Sequence, residues 1–462
     1  MVKKTITSTI VAAGLGLSAL AVSTVAQAKE VNIRVQAVIG MQTTEVKMLK
    51  DFMSDVTALT GGDVTFEVLP AGAVVGVKET LDAVDAGLVE GGFAWTHYWS
   101  GKHPAAMLFG SPVAGAGVGI DNIAFLSWFQ NAGGKELYDR LWDEMGMNVK
   151  GFMLQPVGPE ALGWFSEPIN SMDDFRKYRF RTPPGLPGQT YKDIGVASVA
   201  MGGGDILPAL EKGTIDAAEW CCPKPDMDFG FHKVLKHYYL QGLHQVVVNA
   251  DMYLNKDVYN SLTDHQKKAF EVAANASLVK EMSARIYDNG KALHELTTKH
   301  GVILHDTPAD YFPAYMQAAI DMYRDRFQPS EQLQVPYIML GFNLCAAESS
   351  TEASYLRSSS LQSFINLRRG QPGPLPPPIE DFDNQMSVSE QQMLSEISHC
   401  SAIGDADMVE QQIQQFIDRT GADELMIVSS MFDHHKRLQS YEIGAEIMKR
   451  LPSHSKPDTA SA

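Results

Sequence analysis

Leu207-Pro208-Ala209-Leu210-Glu211-Lys212-Gly213-Thr214-Ile215-Asp216-Ala217-Ala218-Glu219-Trp220 echoes Leu81-Asp82-Ala83-Val84-Asp85-Ala86-Gly87-Leu88-Val89-Glu90-Gly91-Gly92-Phe93-Ala94-Trp95. Each reads as a short helix, a glycine that ends it, a β-branched or leucine pair, an acid, small residues and a tryptophan. The glycine suits the left-handed position just past a helix, and the residues after it suit a short buried strand. One unit used twice, about 125 residues apart, predicts two similar α/β lobes. In open α/β sheets ligands sit beyond the carboxyl ends of the strands, where Trp95 and Trp220 fall, so a cleft between the lobes is the expected site.

Upstream of the first copy, 31–37 alternates with period two and reads as a strand. Val46, Leu49, Phe52, Met53 and Val56 recur at helical spacing, predicting an amphipathic helix over 44–58. Gly61-Gly62-Asp63 turns the chain into a strand over 64–69. Strand, helix, strand in quick succession argues for a parallel sheet. Downstream of the second copy, Thr263 and Gln266 have capping-box spacing, and helical periodicity runs on to about His300, where Gly301 stops it. Some 36 residues at 1.5 Å rise give about 54 Å. A helix that long backs two lobes or makes an oligomer contact.

The 462 residues, 45% hydrophobic, can build two or three packed domains. A formal charge of −17 argues against nucleic acid or anionic lipid as an electrostatic partner. Lys3-Lys4, the apolar run from Ile10 to Val22, and Ala26-Gln27-Ala28 form a secretory signal over 1–28, with cleavage expected after Ala28. No later segment can span a bilayer as a helix, so an exported, soluble protein is expected. Four cysteines are too few for a disulfide scaffold. A bond between adjacent Cys221 and Cys222 would be strained, and these residues read as small groups near a pocket wall. His97, His103, His232, His237 and His244 show no triad or metal spacing and read as solvated or hydrogen-bonded. There is no nucleophile–base pair and no phosphate loop, so binding rather than catalysis is expected.

Leu154-Gln155-Pro156, Phe180-Arg181-Thr182-Pro183, Gly203 to Leu210 and Ile215 to Trp220 together resemble the solute-binding proteins of tripartite ATP-independent periplasmic (TRAP) transporters. The resemblance covers residues 1 to about 310 and is nearest the branch that binds 2-oxo acids such as pyruvate, or lactate. It implies a two-lobed periplasmic-binding-protein fold over 29–310, a periplasmic location, and delivery of a small carboxylate to small and large membrane subunits. It also implies roles. Arg181 would clamp the carboxylate through its guanidinium fork, with Arg179 the better candidate for a structural ion pair. Tyr98, Trp99, Gln155, Trp220 and Gln245 would line the pocket. Gln155, Glu219 and the Trp220 carbonyl would hold Na⁺ or Ca²⁺, since all three are hard oxygen donors.

From about 320 the resemblance changes. Tyr323 to Gln332, the loop Asn366 to Pro378 and Thr420 to Val428 are similar to the C-terminal part of bacterial luciferase-like flavin monooxygenases. The pattern there predicts a strand over 336–345, a helix to about Leu367, a proline-rich loop, then helix 407–420, strand 424–429 and a last helix from Asp433 to Leu451, with a disordered tail over 456–462. Over 320–455 this implies part of a (β/α) barrel, without the earlier strands that carry much of the flavin pocket, so FMN is not expected. Flavin-dependent oxidation by this segment, or an inactive fusion, are the alternative functions. Asp433-His434-His435 reads as a solvated helix start rather than a metal site.

Overall fold

The computed structural model describes residues 30–111, 121–368, 371, 373–387, 390, 391, 394 and 398–451. The expected signal segment and the C-terminal tail lie outside the described residues.

The first lobe is a mixed sheet of β1 (Val31–Ala37), β2 (Val64–Leu69), β3 (Gly91–Trp95), β4 (Val149–Val157) and β10 (Val248–Asn255), in the order β2-β1-β3-β10-β4. The second holds β5 (Gly163–Phe165), β6 (Arg179–Thr182), β7 (Ala197–Ala200), β8 (Ala217–Ala218), β9 (His237–Tyr239) and β11 (Ile303–His305), ordered β11-β9-β5-β8-β6-β7.

The repeat legible in the sequence is a repeat of topology. β1 is flanked by β2 and β3, both parallel to it, and β10 then pairs antiparallel with β3. In the second lobe β6 is flanked by parallel β7 and β8, and β5 pairs antiparallel with β8. Gly87 and Gly213 take the same left-handed conformation, φ +70° and +65°, which a side chain would strain. The acid after each glycine meets an arginine on the neighbouring strand. Glu90 accepts from the backbone N and Nε of Arg34, and Asp216 from the same two atoms of Arg179. Arg179 is therefore the structural partner that its spacing suggested.

Helix Asp264–Lys299 spans 36 residues and starts with the full capping box, Thr263 and Gln266 each bonding the other's backbone N–H. It ends at His300, followed by Gly301 at φ +65°. Phe270 on its inner face meets Phe52, Phe66 and Phe152, with ring centroids 5.3–6.1 Å apart. Burying an aromatic ring of that size contributes about 1.5–3 kcal/mol.

The expected break near 310 is not where the packing breaks. Helix Tyr311–Arg326 buries Tyr311 and Tyr315 in the second lobe's core, beside Phe175 and Tyr191. Its Met316 and Ile320 belong to a separate core with Leu340, Phe342, Ile413 and Ile447. The helix is shared: Tyr311 and Tyr315, four apart, lie on one face, and Met316 and Ile320, each five residues further on, lie on another. Arg324 ties its end to the carbonyls of Thr420 and Gly421.

The C-terminal sheet is β13 (Ser401–Gly404), β12 (Met339–Ala346) and β14 (Glu424–Val428), all parallel, in that order. Helices Ser350–Arg368, Ala406–Thr420 and His434–Arg450 follow the expected pattern. The sheet buries Leu340, Phe342 and Leu344 but leaves Met339, Met426 and Val428 exposed. Three strands do not close a barrel. Asp433 caps the last helix by accepting from the Lys436 N–H, as its reading as a helix start requires.

Candidate functional site

Four strand ends and one connection converge between the two lobes. β3 ends in Trp95 and leads to His97 and Tyr98. β4 ends in Val157, with Glu160 just beyond. β6 supplies Arg181 and then Pro183, β8 leads to Glu219 and Trp220, and the β9–β10 connection carries His244 and Gln245. Trp95, His97, Tyr98, Glu160, Arg181, Trp220, Cys221 and Gln245 line one small cavity of about 20 Å³. Trp95 and Trp220, one from each lobe, meet edge to face with ring centroids 5.3 Å apart. Gly203 lets the Trp220 indole lie close, since a Cβ there would sit 2.6 Å from the ring.

Arg181 is buried and held from two sides. Nη1 donates to Glu219 Oε1 at 2.6 Å and to the Glu219 carbonyl at 2.9 Å, and Nε and Nη2 donate to the Met201 carbonyl at 3.1 and 2.8 Å. The Tyr98 hydroxyl comes to the same cavity from the other lobe, and burial pushes that phenol up to about 12. A ligand carboxylate that takes two bonds from the fork must therefore displace one of these acceptors, of which Glu219 Oε1 is the one on a side chain. The Trp220 indole packs against the guanidinium, 5.3 Å from ring centre to Cζ. Trp220 Nε1 and Gln245 Nε2 are buried without a hydrogen-bond partner. Buried donors of this kind need an acceptor, and both residues line the cavity.

Two expected site residues lie elsewhere. Trp99 is buried in the first lobe against Tyr253, 6.2 Å between centroids, and does not line the cavity. Its neighbour Tyr98 does, because the short 3-10 turn Thr96–Trp99 sends adjacent side chains in different directions. Gln155 is buried, but its Nε2 donates to the Glu45 carbonyl and its Oε1 accepts from Arg285 on the long helix. That arginine occupies the oxygen expected to face a cation. The set Gln155, Glu219 and Trp220 does not fit Na⁺ or Ca²⁺ as arranged.

Glu160 and His244 were not singled out by spacing. His244 Nε2 lies 3.4 Å from Glu219 Oε2 and 3.5 Å from Glu160 Oε2, all three groups buried. Burial raises the Glu160 carboxyl above the usual range; for His244 burial pulls down, but the two carboxylates more than offset it and raise the imidazole. The reading of the histidines as unclustered fails here because Glu160, Glu219 and His244 come from three separate connections. His97 is buried and neutral, its pKa lowered to about 3 by desolvation. Cys221 and Cys222 are joined by a disulfide, against the sequence reading, while Cys345 and Cys400 are free.

The family model described as bacterial extracellular solute-binding protein, family 7, matches residues 34–329. Among curated proteins, a monocarboxylate 2-oxoacid-binding periplasmic protein of Nostoc sp. is 32% identical over 244 residues, 52% of this chain and 64% of that protein. A luciferase-like monooxygenase of Escherichia coli is 38% identical over 141 residues, 30% of this chain and 42% of that protein. The chain thus spans less than two thirds of the length of either. A solved TRAP transporter solute-binding protein from Bordetella bronchiseptica, with calcium and picolinate in its active site, aligns with TM-score 0.59 and 25% identity over 64% of this chain and 86% of that one. A TRAP periplasmic solute-binding protein from Colwellia psychrerythraea, with calcium and pyruvate, aligns with TM-score 0.58 and 25% identity over 65% and 90%.

Proposed function

The chain belongs to the family 7 bacterial extracellular solute-binding proteins, and on that premise we propose that it captures a small monocarboxylate, a 2-oxo acid such as pyruvate or lactate, in the periplasm. It then hands the ligand to the small and large membrane subunits of a TRAP transporter. The observation that carries this reading is the buried Arg181 guanidinium beside two unpartnered donors, Trp220 Nε1 and Gln245 Nε2, on one cavity between the lobes. A small anion with two or more oxygens answers all three. The calcium-bound relatives, with picolinate or pyruvate, support a carboxylate held beside a cation.

The ligand carboxylate enters between the lobes and takes over the Arg181 bond now made by Glu219 Oε1. The second ligand oxygen accepts from Trp220 or Gln245. The aromatic walls exclude water, which strengthens each of these bonds. Because Tyr98 and Trp95 come from one lobe and Arg181 and Trp220 from the other, ligand binding favours the closed pair of lobes. The secretory pattern of residues 1–28 and the family support a periplasmic location.

Calorimetric titration of the full mature chain with pyruvate and with lactate tests the reading. Saturable binding of either is expected, and no heat from either, or from a panel of small 2-oxo and 2-hydroxy acids, would sink it.

A further inference from the structure

We propose that Glu160, Glu219 and His244 form a binding site for a divalent ion of the Zn²⁺ or Mn²⁺ class, placed beside Arg181 at the cavity. Glu160 Oε2, Glu219 Oε2 and His244 Nε2 lie within 4.8 Å of one another, and all three residues are buried. Among the described residues none of these three atoms has a hydrogen-bond partner. They converge at ion-pair distances from one another, and none of the three atoms is taken by a hydrogen bond from another group.

The distances fit an ion better than direct bonds. Nε2 is 3.4 and 3.5 Å from the two oxygens, long for charge-assisted hydrogen bonds, which run about 2.7–2.9 Å. The edge of a tetrahedron is about 1.6 times its centre-to-corner distance. Metal bonds of about 2.0–2.1 Å to His nitrogen or carboxylate oxygen therefore put the ligand atoms about 3.3–3.4 Å apart.

The rest of the environment agrees. The far ring nitrogen, Nδ1, is 3.0 Å from the Tyr191 hydroxyl, which is 3.0 Å from the Tyr311 hydroxyl. With Nδ1–H donating to Tyr191 and Tyr191 donating on to Tyr311, Nε2 is the ring nitrogen left facing the carboxylates, free to bind an ion once its proton is released. A metal-bound histidine is commonly oriented in this way. Glu219 is held in turn by Arg181 through its other oxygen. A nitrogen ligand among two carboxylates selects a borderline ion over Na⁺ or Ca²⁺, which take oxygen only. Charge balances as well, since a divalent ion and Arg181 offset Glu160, Glu219 and one monocarboxylate while His244 stays neutral. That the ligand carboxylate completes the ion's shell rests on the function proposed above; the three-residue site does not.

The test uses the full chain, stripped with a chelator and titrated by calorimetry with Zn²⁺, Mn²⁺, Ca²⁺ or Na⁺ alone, without carboxylate. One Zn²⁺ or Mn²⁺ is expected per chain, bound more tightly than Ca²⁺. Tyr191→Phe is expected to weaken binding by about 10- to 100-fold by freeing the ring, and His244→Gln by more. Gln155→Ala should leave it unchanged. Absence of Zn²⁺ and Mn²⁺ binding, preference for Ca²⁺, or unaltered affinity in a folded His244→Gln overturns the proposal. If that variant does not fold, X-ray absorption of the Zn²⁺-loaded wild type decides. One imidazole in the shell supports the site, and an oxygen-only shell rejects it. Pyruvate binding is measured separately, so metal binding without carboxylate binding counts against the proposed function alone.

Discussion

Arg179 and Asp216 pair at the rim of the second lobe through the same two donor atoms that join Arg34 to Glu90 in the first. Two residues further along β6, Arg181 is buried and faces the cavity. The two arginines can therefore be separated by experiment. Arg181→Ala should weaken carboxylate binding by about 2–5 kcal/mol, the usual cost of removing one partner from a buried charged pair. Arg179→Ala should leave affinity within error, because exposed pairs contribute little. Equal losses in both variants would place the clamp elsewhere.

The aromatic seam under the long helix sets much of the first lobe's stability. Phe270→Ala removes a fully buried ring in contact with three others, and should cost about 3–5 kcal/mol in denaturant unfolding. Thr263→Ala at the cap should cost about 1 kcal/mol. A cap loss as large as the ring loss would mean that the helix is held by its end rather than its face.

Glu281, on the same helix, has its pKa raised to about 7, first by burial and then by Asp51. Its folded pKa lies above its unfolded one, so the protonated form is favoured in the fold. Its contribution is favourable below about pH 4.5 and is lost as pH rises through 7. Glu281→Gln should therefore raise the melting temperature at pH 8 and shift it little at pH 4. A variant less stable than the wild type at pH 8 would mean that the carboxylate is needed in its charged form.

The shared helix makes a prediction about truncation. A chain ending at 329 keeps Tyr311 against Tyr191 but uncovers Met316 and Ile320. Carboxylate affinity should persist while the truncated protein self-associates, as light scattering would show. A monodisperse truncated chain would mean that the C-terminal core contributes no cover.

The C-terminal sheet has three parallel strands with one face partly exposed. After incubation with FMN and desalting, the protein should retain no absorbance near the flavin maximum. Retained flavin in stoichiometric amount would revive an oxidoreductase reading of that segment.

The elements were largely legible in sequence because their signals are local. The capping box at Thr263, the stop at Gly301, the period-two strand over 31–37 and the repeated glycine–acid units at 87–90 and 213–216 each act over a few residues. So did the order of strands and helices after 336. The boundary near 310 was misplaced because helix Tyr311–Arg326 serves two cores at once, and no local pattern distinguishes one owner from the other. Trp99 was misassigned for a related reason. Adjacent aromatics at a turn diverge, and only the fold decides which of them meets the cavity.

The sequence alone determined the two-lobed plan, the arginine at the end of β6 and the tryptophans that face each other across the cleft. Those follow from helix periodicity, strand length and glycine stops, which are properties of neighbouring residues. Only the tertiary structure decided that Gln155 turns to Arg285, and that Glu160 and His244 join Glu219. Side chains from connections 25 to 84 residues apart are brought together by strand order and lobe packing, and a linear spacing carries no record of that distance in space.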